Sequence, residues 1–281
     1  MALPRLFVKK KLFACAALQK KQALLPMNFI DFSHALDDPA RLASLMVCGV
    51  VVGMSKTGIQ GIMTLVIPIM ALIFGGKEST GVVLPMLCFA DLIAVAYYRR
   101  QAQWLYILKL LPCAILGFFL AIWADSMIDK SGFNRLMGLC IFAGFLAMFF
   151  TRKNSNEENQ EMFSKWWCAA IFGILGGFTT MIGNAAGPIM AVYLLSMRLP
   201  KYAFVGTSAW FFLIVNYLKI PLQIFAWGNI TPQTIALDML TIPAILLGAV
   251  FGVYFVKCLP EKSYRAFVIA MSLVSTALLM L

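Results

Sequence analysis

Two apolar stretches, each about thirty residues long, are interrupted in the middle by glycine-rich polar peptide. One runs from Arg41 to Gly75 and is broken over Gly53–Gly61; the other runs from Trp166 to Met197 and is broken over Gly176–Pro188. Each apolar piece beside a break holds roughly 11 to 15 residues, whereas a helix needs about 20 to cross about 30 Å of hydrocarbon. Each piece is therefore expected to reach about halfway. Half-helices that meet at an unwound polar tip build a binding site inside a membrane, an arrangement that recurs in secondary transporters.

The rest of the chain agrees with a membrane setting. Of its 281 residues, 62% are hydrophobic, well above the share in soluble domains. Lipid tolerates helices or closed barrels, and these runs are too long for barrel strands. The expected class is an all-α polytopic membrane protein. Seven cysteines are scattered singly and the one histidine, His34, lies outside the spans, so neither a disulfide framework nor a metal or cofactor site is indicated. The formal charge of +11 includes six basic residues and no acid within 1–26, leaving 17 basic and 12 acidic residues beyond. Ordinary membrane topology accounts for that remainder, and nucleic-acid binding is not implied. The basic leader reads as an amphipathic surface segment or as residues ahead of a true start at Met27, and less well as a signal peptide.

Self-comparison divides the chain in two. Gly49, Gly53 and Lys77 match Gly173, Gly177 and Lys201 at one offset; Pro112, Gly117 and Phe133 match Pro243, Gly248 and Tyr264 at another. The expected organisation is an extension over 1–40, one membrane repeat over 41–150, a polar linker over 151–165 and a second repeat over 166–281. Each repeat is a discontinuous, re-entrant helix pair followed by three spans. These spans read as Ser79–Tyr97, Leu105–Ala124 and Phe133–Phe150, then Ala203–Phe225, Thr234–Val256 and Ser263–Leu281. Arg99 and Arg100 place their loop inside, as do Lys257, Lys262 and Arg265 for theirs. That assignment works when both broken segments return to the side they entered, which makes the two repeats inverted.

The tips carry the chemistry. The second half-helix of each pair starts at the tip, so its free N–H groups and positive dipole end face the centre. Thr57 or Gln60 is expected to cap the first such helix and Asn184 the second, with Pro188 in the first helical turn. Gly58, Gly61, Gly183 and Gly187 let backbone approach a ligand; Ser55, Thr57, Thr179, Thr180 and Asn184 add neutral donors; Lys56 adds a charge. Together they describe an anion site. The bland alternatives are helix packing for the glycines and snorkelling for Lys56. Asp91 lies deep in a span, to carry a coupling proton, to pair with Lys56 or to brace a helix. Asn216 occupies a similar place in the second half. Asp238, five residues into its span, reads as interfacial, Lys109 and Lys219 as snorkelling, and Trp104, Trp166, Trp167 and Trp227 as interface anchors.

In the order Gly53…Lys56-Thr-Gly58…Gly61, Pro68, Ala90-Asp91-Leu, Tyr98-Arg-Arg100, Pro112…Gly117, Gly176-Gly…Gly183-Asn-Ala-Ala-Gly-Pro188 and Gly206-Thr-Ser208, the chain resembles the TauE/SafE family of sulfite exporter-like membrane transporters. The resemblance covers nearly everything beyond residue 40. It implies a multi-pass carrier of the bacterial-type plasma (inner) membrane, moving sulfite, sulfonates or related small anions by alternating access around the two breaks. Asn184-Ala-Ala186 stands where the family usually has more glycine. Proton coupling, with Asp91 as the candidate, and a homodimer are further expectations. A passive anion channel would share the site. An intramembrane enzyme with Ser55 or Thr57 and Lys56 as nucleophile and base finds no second catalytic partner in the sequence, so no enzymatic activity is expected.

Overall fold

The computed structural model describes residues 39–129, 131–133, 135–140, 142 and 165–278. The basic leader, the linker 151–164, most of the span expected at Phe133–Phe150 and the final residues 279–281 lie outside the described residues. Two compact units divide the chain, 1–42 and 43–281. Of the first, only the helical residues 39–42 are described.

The described residues are all-helical, without a strand, as composition predicts. In chain order the helices are α1 (Pro39–Thr57), α2 (Met63–Phe74), α3 (Gly76–Tyr98), α4 (Trp104–Ser126), α5 (Trp166–Gly183), α6 (Gly187–Ser196), α7 (Lys201–Leu222), α8 (Pro232–Cys258) and α9 (Glu261–Leu278). Short helical turns within 131–142 precede α5, and a π-helical turn, Gln223–Trp227, extends α7. Five of these helices are long and apolar enough to cross a membrane: α3, α4, α5, α7 with its extension, and α8.

Both apolar stretches are broken, but the breaks are narrower than expected. Gly53–Thr57 stays within α1, and only Gly58–Ile62 leaves the helix; Gly176–Gly183 stays within α5, and only Asn184–Ala186 interrupts. The hydroxyls explain this. Thr57 Oγ1 donates to the Gly53 carbonyl and Thr179 Oγ1 to the Leu175 carbonyl, each four residues back. A polar side chain bonded within its own helix needs no unwinding. The arms are consequently unequal. At 1.5 Å per residue, α1 and α5 run about 28 and 27 Å, against about 18 and 15 Å for α2 and α6.

Glycine sets how closely the long arms approach their neighbours. A Cβ on Gly53 would strike the Ile245 carbonyl of α8, and one on Gly248 the Val50 carbonyl of α1. In the same way Gly177 lies against the Ala114 carbonyl of α4, and Gly117 against the Ile174 carbonyl of α5. Backbones this close gain dispersion contact that lipid cannot supply. Adjacent glycines on α5 give a direct check. Gly177→Ala is expected to destabilise by about 1–3 kcal/mol through forced separation of α4 and α5. Gly176→Ala, whose added methyl meets nothing within 4 Å, should be neutral or slightly stabilising through helix propensity. Thermal unfolding in detergent reads the difference.

Between these flanking pairs, α3 and α7 pack together, α2 lies on α3 and α6 on α5. Every residue from Pro188 to Leu194 on α6 is buried, the pattern of a helix enclosed on all sides. Outward faces are the reverse. Leu105, Leu108, Leu116 and Phe119 on α4, and Leu247, Val250, Phe251 and Tyr254 on α8, are exposed. Apolar surface of that extent, on helices of spanning length, meets lipid. The protein is a multi-pass membrane protein.

Candidate functional site

The two breaks are built differently. At the first, Gly58 and Ile59 both donate to the Met54 carbonyl, and Gly61 turns the chain with φ of 100° before α2 starts. The residue ahead of α2 is Ile62, with no side-chain cap, so neither Thr57 nor Gln60 caps that helix. At the second, Asn184 adopts the left-handed conformation (φ 55°, ψ 26°) and its N–H closes the end of α5 on the Thr179 and Thr180 carbonyls. Asn184 thus ends α5 instead of capping α6, whose first turn holds Pro188 as expected. Asparagine is a residue that tolerates this backbone without being glycine, which accounts for the glycine-poor second tip.

A chain of polar contacts joins the two breaks through α3 and α7. Lys56, in the last turn of α1, lies with Nζ 2.9 Å from Asp91 Oδ1. Asn216 Nδ2 donates to Asp91 Oδ2 at 2.6 Å. Lys219, three residues on, donates from Nζ to Asn216 Oδ1 (3.5 Å), Asn184 Oδ1 (2.6 Å), the Thr180 carbonyl (2.8 Å) and Thr180 Oγ1 (3.2 Å). Asn184 Nδ2 continues to the Thr80 carbonyl on α3. Asp91 and Lys219 are each 0% exposed. Four oxygens ring Lys219 Nζ, the surroundings of an ammonium group. Lys56 adds a contact with the Phe212 ring, 4.1 Å from its centroid, a geometry that favours a cation.

The snorkelling expected of Lys219 is therefore wrong. Continued by the Gln223–Trp227 turn, α7 carries this lysine far from its end, and it reaches across to α5. Each long arm consequently ends on a lysine: α1 on its own Lys56, and α5 on Lys219 supplied by α7. A cation at a helix C-terminus complements the dipole there. A signal for Lys219 exists in the sequence. Ser208, Asn216, Lys219 and Gln223 recur at helical spacing on one face of α7 and its extension, a polar stripe that an apolar span does not need. Asp238, read as interfacial, is enclosed by protein, its side chain 6% exposed.

Beside the relay lies a cavity of about 30 Å³, room for about two waters. Ser55, Lys56, Gly61, Thr180, Asn184 and Gly187 border it, six of the ten residues expected at the tips. Thr57, Gly58, Thr179 and Gly183 do not. Thr57 Oγ1 shares its one proton between the Gly53 carbonyl and the Ala249 carbonyl on α8, the Gly58 carbonyl accepts from Tyr264, Thr179 bonds within α5, and Gly183 lies against Met137. Gln60, Ser208 and Asn216 are further residues on the cavity wall. Ser208 Oγ and Gln60 Oε1 are buried there without a hydrogen-bond partner. Unsatisfied buried polar atoms are rare in native proteins, and a hydroxyl facing a cavity is free to donate to what enters.

Of the residues on this wall, Lys56 is charged, and Asp91 and Lys219 stand directly behind it. Counted at their formal charges, the two lysines and the one carboxylate leave one positive charge in excess. Gly61 and Met63 bring the start of α2 to the same cavity, and Gly187 brings the start of α6. The positive dipole ends of both helices add to the positive field.

A family model described as Sulfite exporter TauE/SafE matches residues 45–279. The chain belongs to the TauE/SafE family. That is a family of membrane transporters, and the family match takes in both breaks, the relay and the cavity. Within this TauE/SafE protein, the Gly206-Thr-Ser208 motif delivers Ser208 to the cavity, while Thr207 Oγ1 accepts from the Gln103 N–H and fixes the loop after Arg100. Comparison with curated proteins and with solved structures returned no match.

Proposed function

We propose that this transporter is a secondary carrier of small anions, in first place sulfite, sulfonates and related organosulfur anions, across the plasma membrane. The observation that carries the proposal is the excess positive charge buried beside the cavity: Lys56 and Lys219 against Asp91 alone. Burying an unmatched charge is costly, and an anion in the cavity removes that cost. It takes Asp91's place as partner of Lys56 and accepts from Ser208 and from the starts of α2 and α6.

Alternating access of two inverted repeats finds support in exchanged contacts. The long arm of the first half packs on the second half's α8, and the long arm of the second half packs on the first half's α4, each through glycines that match in the self-comparison. The matching lysines behave alike: Lys77 reaches Asp125 at the end of α4, and Lys201 reaches the Val256 and Leu259 carbonyls at the end of α8. With room for about two waters, the cavity is narrow, and an anion of several heavy atoms enters when the arms part. That favours a carrier over an open channel.

The test uses the purified protein in liposomes with radiolabelled sulfite. Uptake against a gradient is expected when a pH difference is imposed. Lys56→Ala and Asn184→Ala are expected to reduce it roughly tenfold or more, the loss of one charge-assisted contact or one relay member. Unchanged uptake in both variants would overturn the site, and flux that never runs uphill would favour a channel.

A further inference from the structure

A second cavity, of about 300 Å³, lies on the other side of α3 and α7 from the ionic relay. Helical spacing separates the two faces. On α3, Cys88 and Leu92 border this crevice while Leu87 borders the first cavity; on α7, Tyr217 and Ile220 border it while Phe212 and Asn216 face the relay. The third wall is α8. Leu92, Tyr217 and Met239 are exposed at its rim, on helices whose outward faces meet lipid, so the crevice opens towards hydrocarbon.

One carboxyl group stands in this apolar wall. Asp238 is 6% exposed, and neither Oδ1 nor Oδ2 has a hydrogen-bond partner. The nearby hydroxyl of Thr241 donates to the backbone carbonyl of Asp238 instead. The titratable groups around it are Cys88 from α3 and Tyr217 from α7. From α1, packed along α8 through Gly49 and Gly53, they are Cys48 and Lys56, and Lys56 is held by Asp91. No described lysine or arginine pairs with Asp238. An isolated carboxylate in an apolar setting is too costly to persist, whereas the neutral acid is tolerated. Asp91 is the opposite case, since a cation and an amide hold its charge.

We propose that Asp238 is a proton-binding site of this protein, filled while the crevice faces hydrocarbon and is dry and emptied when helix movement wets it. Its carboxylate takes one proton from water to become the neutral acid, and returns it to water on opening. The route to the substrate site is short. Ile245 borders the crevice, and its carbonyl occupies the place that a Cβ on Gly53 would take, three residues before Lys56. A shift of α8 against α1 therefore moves both sites. Asp238, not Asp91, then carries the coupling proton; that linkage rests on the carrier reading, whereas the proton site does not.

The experiment treats the full chain in liposomes with dicyclohexylcarbodiimide, a lipid-soluble reagent that adds to protonated carboxyls and leaves a stable N-acylurea. Peptide mass spectrometry is expected to find the adduct on Asp238, falling roughly tenfold or more from mildly acidic to alkaline buffer. A water-soluble carbodiimide should modify the exposed Asp129 and spare Asp238. Asp238→Asn, which keeps the shape, should retain downhill sulfite exchange and lose accumulation driven by a pH difference. No adduct on Asp238, an adduct indifferent to pH, or full pH-driven accumulation in the Asn variant would overturn the proposal. Absence of any sulfite flux in the unaltered protein would defeat the carrier reading and leave the adduct to decide the proton site.

Discussion

Asp91→Asn is expected to lower stability by about 3–5 kcal/mol, the range for removing one member of a buried ion pair. The side chain is 0% exposed, and its partner Lys56 is 9% exposed. Asparagine preserves the shape and a contact with Asn216, so the loss isolates the charge. Without it, Lys56 and Lys219 are two buried cations, and no other described carboxylate pairs with either. Against a typical total of about 5–15 kcal/mol, this is enough to unfold a large fraction of the protein near its ordinary melting range. Two further measurements separate bracing from other roles. Asp91→Asn combined with Lys56→Met should recover most of the loss, because removing both members of a pair leaves nothing stranded. Sulfite should raise the melting temperature of Asp91→Asn more than that of the unaltered protein, since a bound anion replaces the missing charge and no longer competes with a carboxylate. A variant as stable as the original would show that Asp91 does not hold the two arms.

The residues that were legible in the sequence, and those that were not, differ for physical reasons. Membrane class and the two breaks follow from apolar run length, and the structure places a break at each predicted window: Gly58–Ile62 overruns the first by one residue, and Asn184–Ala186 lies within the second. Their extent was not legible. Serine and threonine next to glycine suggest unwound peptide, yet Thr57 and Thr179 satisfy themselves on carbonyls within their own helices, a choice with no trace in composition. The pairing of Lys56 with Asp91 was one of several open readings, because a buried acid in a span needs a partner and lysine was available. Lys219 was hidden by its nearness to the end of the expected span, Ala203–Phe225. A lysine near a helix end usually snorkels, and only the turn after Leu222 and the approach of α5 place it in the core. Asp238 was hidden likewise, its burial coming from α3 and α7, which are distant in sequence.

Lys219→Met is expected to reduce sulfite uptake to background while leaving a folded protein. Methionine keeps an unbranched apolar stem of similar length and removes the charge. The first consequence is local. The Thr180 carbonyl and Asn184 Oδ1 lose their cation, and each stranded acceptor costs about 1–3 kcal/mol unless water enters; the adjoining cavity can supply that water. The second consequence concerns the anion. With Lys219 gone, Lys56 and Asp91 cancel, and the excess charge that draws an anion disappears. Lys219→Arg should not restore uptake fully, because a planar five-donor fork does not match four oxygens gathered around one nitrogen. The charge argument is sharpened by Lys219→Met combined with Asp91→Asn. That pair leaves Lys56 as the single cation and keeps one positive charge in excess. Sulfite binding, read as a thermal shift, should be stronger in the double variant than in Lys219→Met alone. Equal binding in the two would mean that the geometry of Lys219, and not the net charge around the cavity, selects the anion.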